Sequence, residues 1–204
     1  MDVRSALEDR RMVRSFDGSE IDGSLVTDIF EQSLRAPTAG NARGISWLVL
    51  IGADETDLYF ESTTDREWRS RSRRYEGLRR ASAVGLCLAD PLAYVERYRQ
   101  DDKIASGLGE SSDAWPIPYW IGDAGAACLA ALLLVESERL AGCFLGAFRG
   151  APDLRRMLSI PEHLVLYGAV LVGVEDGNDH RSSSLDQPGP KRSARVHRRT
   201  FTQR

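Results

Sequence analysis

The stretch from Gly122 to Leu140 constrains this chain more than any other. Its spacing is helical, and it is apolar on nearly every face until Glu136. A helix that is hydrophobic all round must be buried all round. In a chain of 204 residues that leaves two arrangements, a central core helix or a helix buried against a second subunit. Its longest apolar run, Ala124 to Val135, is too short to span a bilayer and follows Asp123 directly. The N-terminus, MDVRSALEDRR, is charged where a signal peptide needs an apolar centre. The expectation is a cytoplasmic protein with no membrane partner.

Shorter elements flank that helix. Residues 2–9 read as a helix that Asp2 can cap, and 24–35 as a second, capped by Ser24 and ended by Pro37. Apolar Leu25, Val26, Ile29, Phe30 and Leu34 fall on one face of the second helix. Trp47–Ile51, Ala83–Ala89 and Leu164–Val174 predict buried strands. Residues 53–80 are polar, with seven arginines between Arg66 and Arg80, and read as a solvated surface helix or loop. A helix over 92–100, an irregular run over 101–120 and a helix from Pro152 through Leu158 complete the order. With no repeat and no linker, this is an α+β chain of one domain, 1–204.

Hydrophobic residues make up 42% and charged residues 28%, ordinary for a globular protein. The net charge of −3 gives no reason to expect nucleic-acid binding. The charge is uneven, however. Residues 177–204 carry seven bases against two acids, so this basic C-terminal extension is near +5 and the body near −8. Such a tail is either a disordered arm or a strap carrying cations to an anion. Cys87, Cys128 and Cys143 lack the spacing of a disulfide framework or a zinc site. His163, His180 and His197 lie in polar, loop-like contexts.

There is no Walker A loop, HExxH or GxSxG, and Gly107-Leu108-Gly109 offers only GxG without a preceding strand. No metal site is expected. Chemistry in this chain would therefore be carried by a bound cofactor. Three segments stand out. Arg10-Arg11-Met12-Val13-Arg14-Ser15-Phe16 is, taken alone, a basic helix end. Arg35-Ala36-Pro37-Thr38-Ala39-Gly40-Asn41 is a small-residue turn that lets backbone approach a flat ligand, or an ordinary turn. Ala141-Gly142-Cys143-Phe144-Leu145-Gly146-Ala147-Phe148 follows the apolar helix.

In this order and at these distances, the three segments resemble the nitroreductase family. That family has R-R-x-x-R-x-F near the N-terminus, an A-P-S-x-x-N turn some twenty-odd residues on, and an interface helix leading into a Gly-containing segment. The match spans roughly residues 4–52 and 119–174. The resemblance implies an α+β sandwich, its central sheet flanked by helices, in a homodimer with FMN in a groove formed by both subunits. It implies that Arg10, Arg11, Met12 and Arg14 meet the phosphate, ribityl chain and pyrimidine edge, where arginine suits a phosphate. Pro37, Thr38, Ala39, Gly40 and Asn41 would line the ring pocket from the partner subunit. Leu145, Gly146 and Ala147 would bring backbone N–H groups to the flavin's N5 and O4 edge, and one of the tail cations Lys191, Arg195, Arg198 and Arg199, foremost Arg198 or Arg199, would reach the phosphate.

Two residues depart from the family pattern. Met12 stands where Ser is frequent, and Arg43 stands where Gln is frequent, placing a charge beside the substrate pocket. Trp115 and Tyr119, among prolines ahead of the apolar helix, are expected either to wall that pocket or to pack as core. The resemblance implies an FMN-dependent oxidoreductase passing hydride from NAD(P)H to a small electron-poor acceptor such as a nitroaromatic or quinone. No side chain need be catalytic. The alternatives are a flavin-dependent biosynthetic dehydrogenase or deazaflavin-binding relative, and a non-catalytic flavin-binding protein.

Overall fold

The computed structural model describes residues 1–147, 149–180, 182, 186, 187, 189 and 192–201. Helix α1 (Val3–Asp9) is capped by Asp2, whose carboxylate accepts from the Arg4 and Ser5 amides at 2.8 and 3.0 Å. Helix α2 (Gly23–Ser33) starts one residue earlier than expected. Asp22, not Ser24, is its cap, accepting from the Ser24 amide at 2.8 Å.

Four strands form one antiparallel sheet in the order β1 (Ile45–Ile51), β2 (Ala83–Ala89), β4 (Val165–Gly173), β3 (Ala141–Gly146). Central strand β2 is buried along its whole length, because helices cover both faces. Its alternation sorts residues by size. Ala83, Cys87 and Ala89 pack with α2 and with α7 (Tyr119–Ser137), whereas Val84, Leu86 and Leu88 join the cluster holding Tyr59, Tyr75 and Leu154. The small face draws α7 close, through its own Ala124, Ala127, Cys128 and Ala131. Gly85 lies on that face because the Phe30 ring fills its place, 2.3 Å from where a Cβ would stand.

The second face corrects one expectation. Residues 53–80 form three helices, α3 (Ala53–Thr63), α4 (Arg66–Arg71) and α5 (Tyr75–Arg79), solvated on the outside as expected but not on the inside. They bury Tyr59, Phe60, Tyr75 and Leu78, with Trp68 half-buried against the same cluster. The many charges outside masked a few large residues inside. Helix α8 (Ala151–Met157) completes this layer through Leu154, and α6 (Pro91–Tyr98) follows β2 with Asp90 as its cap.

Helix α7 begins three residues before the expected start. By length and composition it is apolar enough to cross a membrane, yet one side of it is the core of the fold. The other side stays open. Gly122 has nothing within 4 Å of a would-be Cβ, Leu129 is 45% exposed, and Ala126 and Leu133 beside it are half-exposed.

Candidate active site

After α1 the chain runs extended along the free edge of β3. The Val13 amide donates to the Gly142 carbonyl at 3.0 Å, and the Phe144 amide donates to the Met12 sulfur at 3.3 Å. Val13 and Phe16 anchor the segment in the core, and Phe16 bridges Glu175 beyond β4. Met12 thus provides a thioether acceptor for the strand edge. Outward-facing groups alternate along an edge strand, so after Gly142 and Phe144 the next N–H directed away from β4 is that of Gly146. The first and third segments therefore meet.

Their cations differ. Arg10 is half-buried, and its Nη1 is buried with no hydrogen-bond partner among the described residues. Such a donor carries a desolvation cost that an anion would remove. Arg14 donates to the Met12 carbonyl at 3.0 Å. Arg11 faces solvent, 67% exposed and paired with Glu175 at 2.7 Å. At the end of β3, Leu145, Gly146 and Ala147 line a cavity of about 280 Å³ over the sheet face, walled by Tyr59, Trp68 and Leu154 and floored by Leu86 and Ala169. Phe148 lies outside the described residues.

The second segment is held elsewhere. Ala39–Asn41 form a single 3₁₀ turn just before β1, at the opposite edge of the sheet from β3. Three strand spacings separate those edges by about 14 Å. The turn's contacts run to α6 and α7: the Ala39 amide donates to Asp123 at 2.8 Å, and Arg97 donates to the Gly40 carbonyl at 2.8 Å. Exposed Pro37, Asn41 and Arg43 and half-buried Thr38 border an open cleft there. Within one chain, then, two of the three segments converge and the third faces outward from the other side.

The model of the Nitroreductase family matches residues 7–174. The chain belongs to the nitroreductase family. Solved nitroreductase structures share its fold at low identity. One from Desulfovibrio desulfuricans, assigned as a nitroreductase and solved in complex with FMN, is 20% identical, with TM-score 0.67 and 99% of each chain covered. The nitroreductase CinD of Lactococcus lactis, in complex with nicotinic acid, is 16% identical, with TM-score 0.70, covering 94% of this chain and all of its own, 100%. An FMN-dependent nitroreductase of Clostridium difficile is 17% identical, with TM-score 0.66, covering 98% and 100%. No curated protein matches the sequence.

Within this fold Trp115 packs as core, one of the two readings its sequence context leaves open. It is 6% exposed, donates from its indole to the Leu108 carbonyl at 2.9 Å, and packs against Tyr94, Tyr98 and Trp120. Tyr119 stays 46% exposed at the start of α7. In the tail, Arg192–Arg195 form a 3₁₀ turn and Arg198 and Arg199 are exposed, while Lys191 lies outside the described residues. Among the described residues no cluster of His, Cys, Asp or Glu could hold a metal.

Sequence reasoning missed Arg74, lost among the arginines of 66–80. It donates to the His180 carbonyl at 3.5 Å, and its charge, with those of Arg14 and Asp179, acts on Cys143. Burial pushes the Cys143 thiol up from the usual 9.0 to about 11, against the pull of Arg14, and burial also pushes nearby Tyr59 up to about 12. An acid whose folded pKa lies above its unfolded value stabilises the fold below the unfolded value. That stability is lost as pH rises towards the folded one. The melting temperature should therefore hold from pH 7 to 9 and fall between pH 9 and 11, and Cys143→Ala should lessen the fall. An identical pH profile in the variant would assign the loss to other groups.

Proposed function

We propose that this nitroreductase-family chain is an FMN-dependent oxidoreductase that works as a homodimer. The observation that carries the reading is that Arg10, in the segment that goes on to meet β3, has a buried Nη1 with no partner among the described residues. That segment would offer a cation, and the end of β3 a backbone N–H, to one flat, anionic ligand, and Leu145, Gly146 and Ala147 of that end also line an apolar cavity. FMN, when bound, supplies a hydride-accepting centre that links NAD(P)H to an electron-poor acceptor such as a nitroaromatic or quinone.

The chain's own residues do the rest. Arg10 holds the phosphate end, for which a guanidinium is well shaped. Arg14 and Arg74 keep positive charge where negative charge gathers on reduction. The Gly146 N–H, directed off the sheet edge, orients the ring, and the cavity wall of Tyr59, Trp68 and Leu145 excludes water.

The second subunit enters through α7. Its open apolar side, with Leu129, Leu133, Ala126 and Gly122, suits a like surface under a two-fold axis. A partner seated there would bring its own Pro37–Asn41 turn toward the β3 edge. Val196 and Phe201 in the tail are 80% and 78% exposed, which supports a strap that lies on the partner and carries Arg198 and Arg199 to the phosphate. The reduced, buried cysteines suit a cytoplasmic setting. The test is anaerobic addition of NADH or NADPH to FMN-loaded protein, which should bleach the flavin's visible absorbance.

A further inference from the structure

We infer that Asp123, with Arg97, is a positioning residue that sets the Pro37–Asn41 turn and so links the flavin site to the interface helix. The inference rests on the flavin reading above, but the clamp can be measured without flavin. The turn needs outside restraint. Gly40, Asn41 and Arg43 all have positive φ, at 61°, 57° and 54°, a region that side-chain-bearing residues hold only when their surroundings require it.

The restraints converge from two helices. From α7, a single oxygen of Asp123, Oδ2, accepts both the Ala39 amide at 2.8 Å and the Tyr94 hydroxyl at 2.7 Å. Burial first, and the bond to Asp123 next, push the Tyr94 hydroxyl far above its usual range, so it remains a donor at any working pH. From α6, Arg97 donates through Nε to the Gly40 carbonyl at 2.8 Å. Its two terminal nitrogens grip the two oxygens of Asp102, each at 2.7 Å. That grip fixes the guanidinium plane, giving a role to part of the irregular 101–118 segment. Tyr98 lies beneath, 2.5 Å from where a Cβ on Gly40 would stand. Asp123 follows Gly122, part of the open side of α7, by one residue. A shift of that helix at a subunit contact would reach the turn through one bond.

Asp123→Ala removes the shared acceptor, whereas Asp123→Asn keeps an oxygen able to serve both donors. Amide hydrogen exchange in FMN-free protein reads the clamp itself. In Asp123→Ala, the amides of residues 39–42 should exchange about tenfold faster or more while those of β2 and β4 are unchanged. The FMN Kd should weaken by about tenfold, the visible circular dichroism of bound flavin should change, and Asp123→Asn should restore all three. Unchanged exchange in Asp123→Ala, or Asp123→Asn as damaging as Ala, would overturn the role. Should Asp123→Ala fail to fold, Arg97→Ala leaves Asp123 and Tyr94 intact and should speed exchange at the same amides; unaltered exchange there would also overturn it. If the parent protein takes up no FMN, the flavin reading falls alone and the exchange data decide the clamp.

Discussion

Arg10→Ala is expected to weaken FMN binding about tenfold to a hundredfold without unfolding the protein. A hydrogen bond to a charged group is worth roughly 1.5–3 kcal/mol, and about 1.4 kcal/mol is tenfold in Kd. The sign for the free protein is opposite. Arg10 Nη1 is buried without a partner among the described residues, so truncation removes a desolvation cost from the flavin-free state. The flavin-free melting temperature should hold or rise, and only the FMN-bound one should fall. Arg11→Ala is the control. Its guanidinium is 67% exposed and paired with Glu175, and surface pairs of this kind contribute little, so its Kd should stay within about threefold of the parent. Equal losses in the two variants would contradict the assignment of Arg10.

Leu129→Arg should produce a monomer that has lost flavin, with Kd weakened more than about a hundredfold. Leu129 is 45% exposed on the open side of α7. An arginine there meets its symmetry mate across a two-fold axis, placing two like charges in an apolar contact. Flavin is lost with the dimer because of the sheet order. The β3 edge and the Pro37–Asn41 turn lie at opposite edges of one chain's sheet, about 14 Å apart, so one subunit alone offers an incomplete groove. Sedimentation velocity and FMN titration on one sample check both effects. A variant that remains dimeric, or a monomer that retains FMN, would contradict this account.

What was legible in the sequence was whatever depends on local pattern. Strand β2 could be read from its unbroken small and apolar run, α7 from its length, and the Arg10–Phe16 segment from its motif spacing. Helices α3–α5 were hidden because Tyr59, Phe60, Trp68, Tyr75 and Leu78 are scattered among charges, and only the sheet beneath them shows which side they bury. The cap of α2 was misread because Asp22 and Ser24 are both good caps, and only backbone geometry separates them. Trp115 gave no local sign of its carbonyl partner or its four aromatic neighbours. Arg74 and Asp123 were beyond reach for the same reason. Their meaning comes from partners distant in the chain, His180 for one and Ala39 for the other.

The most direct test of the central claim is the visible spectrum of the FMN-loaded protein, recorded anaerobically before and after NADH or NADPH. The account predicts flavin absorbance equivalent to one FMN per chain, bleached by a reduced nicotinamide and restored by a quinone. A flavin that binds yet stays oxidised with both nucleotides, or a protein that retains no FMN, would contradict it.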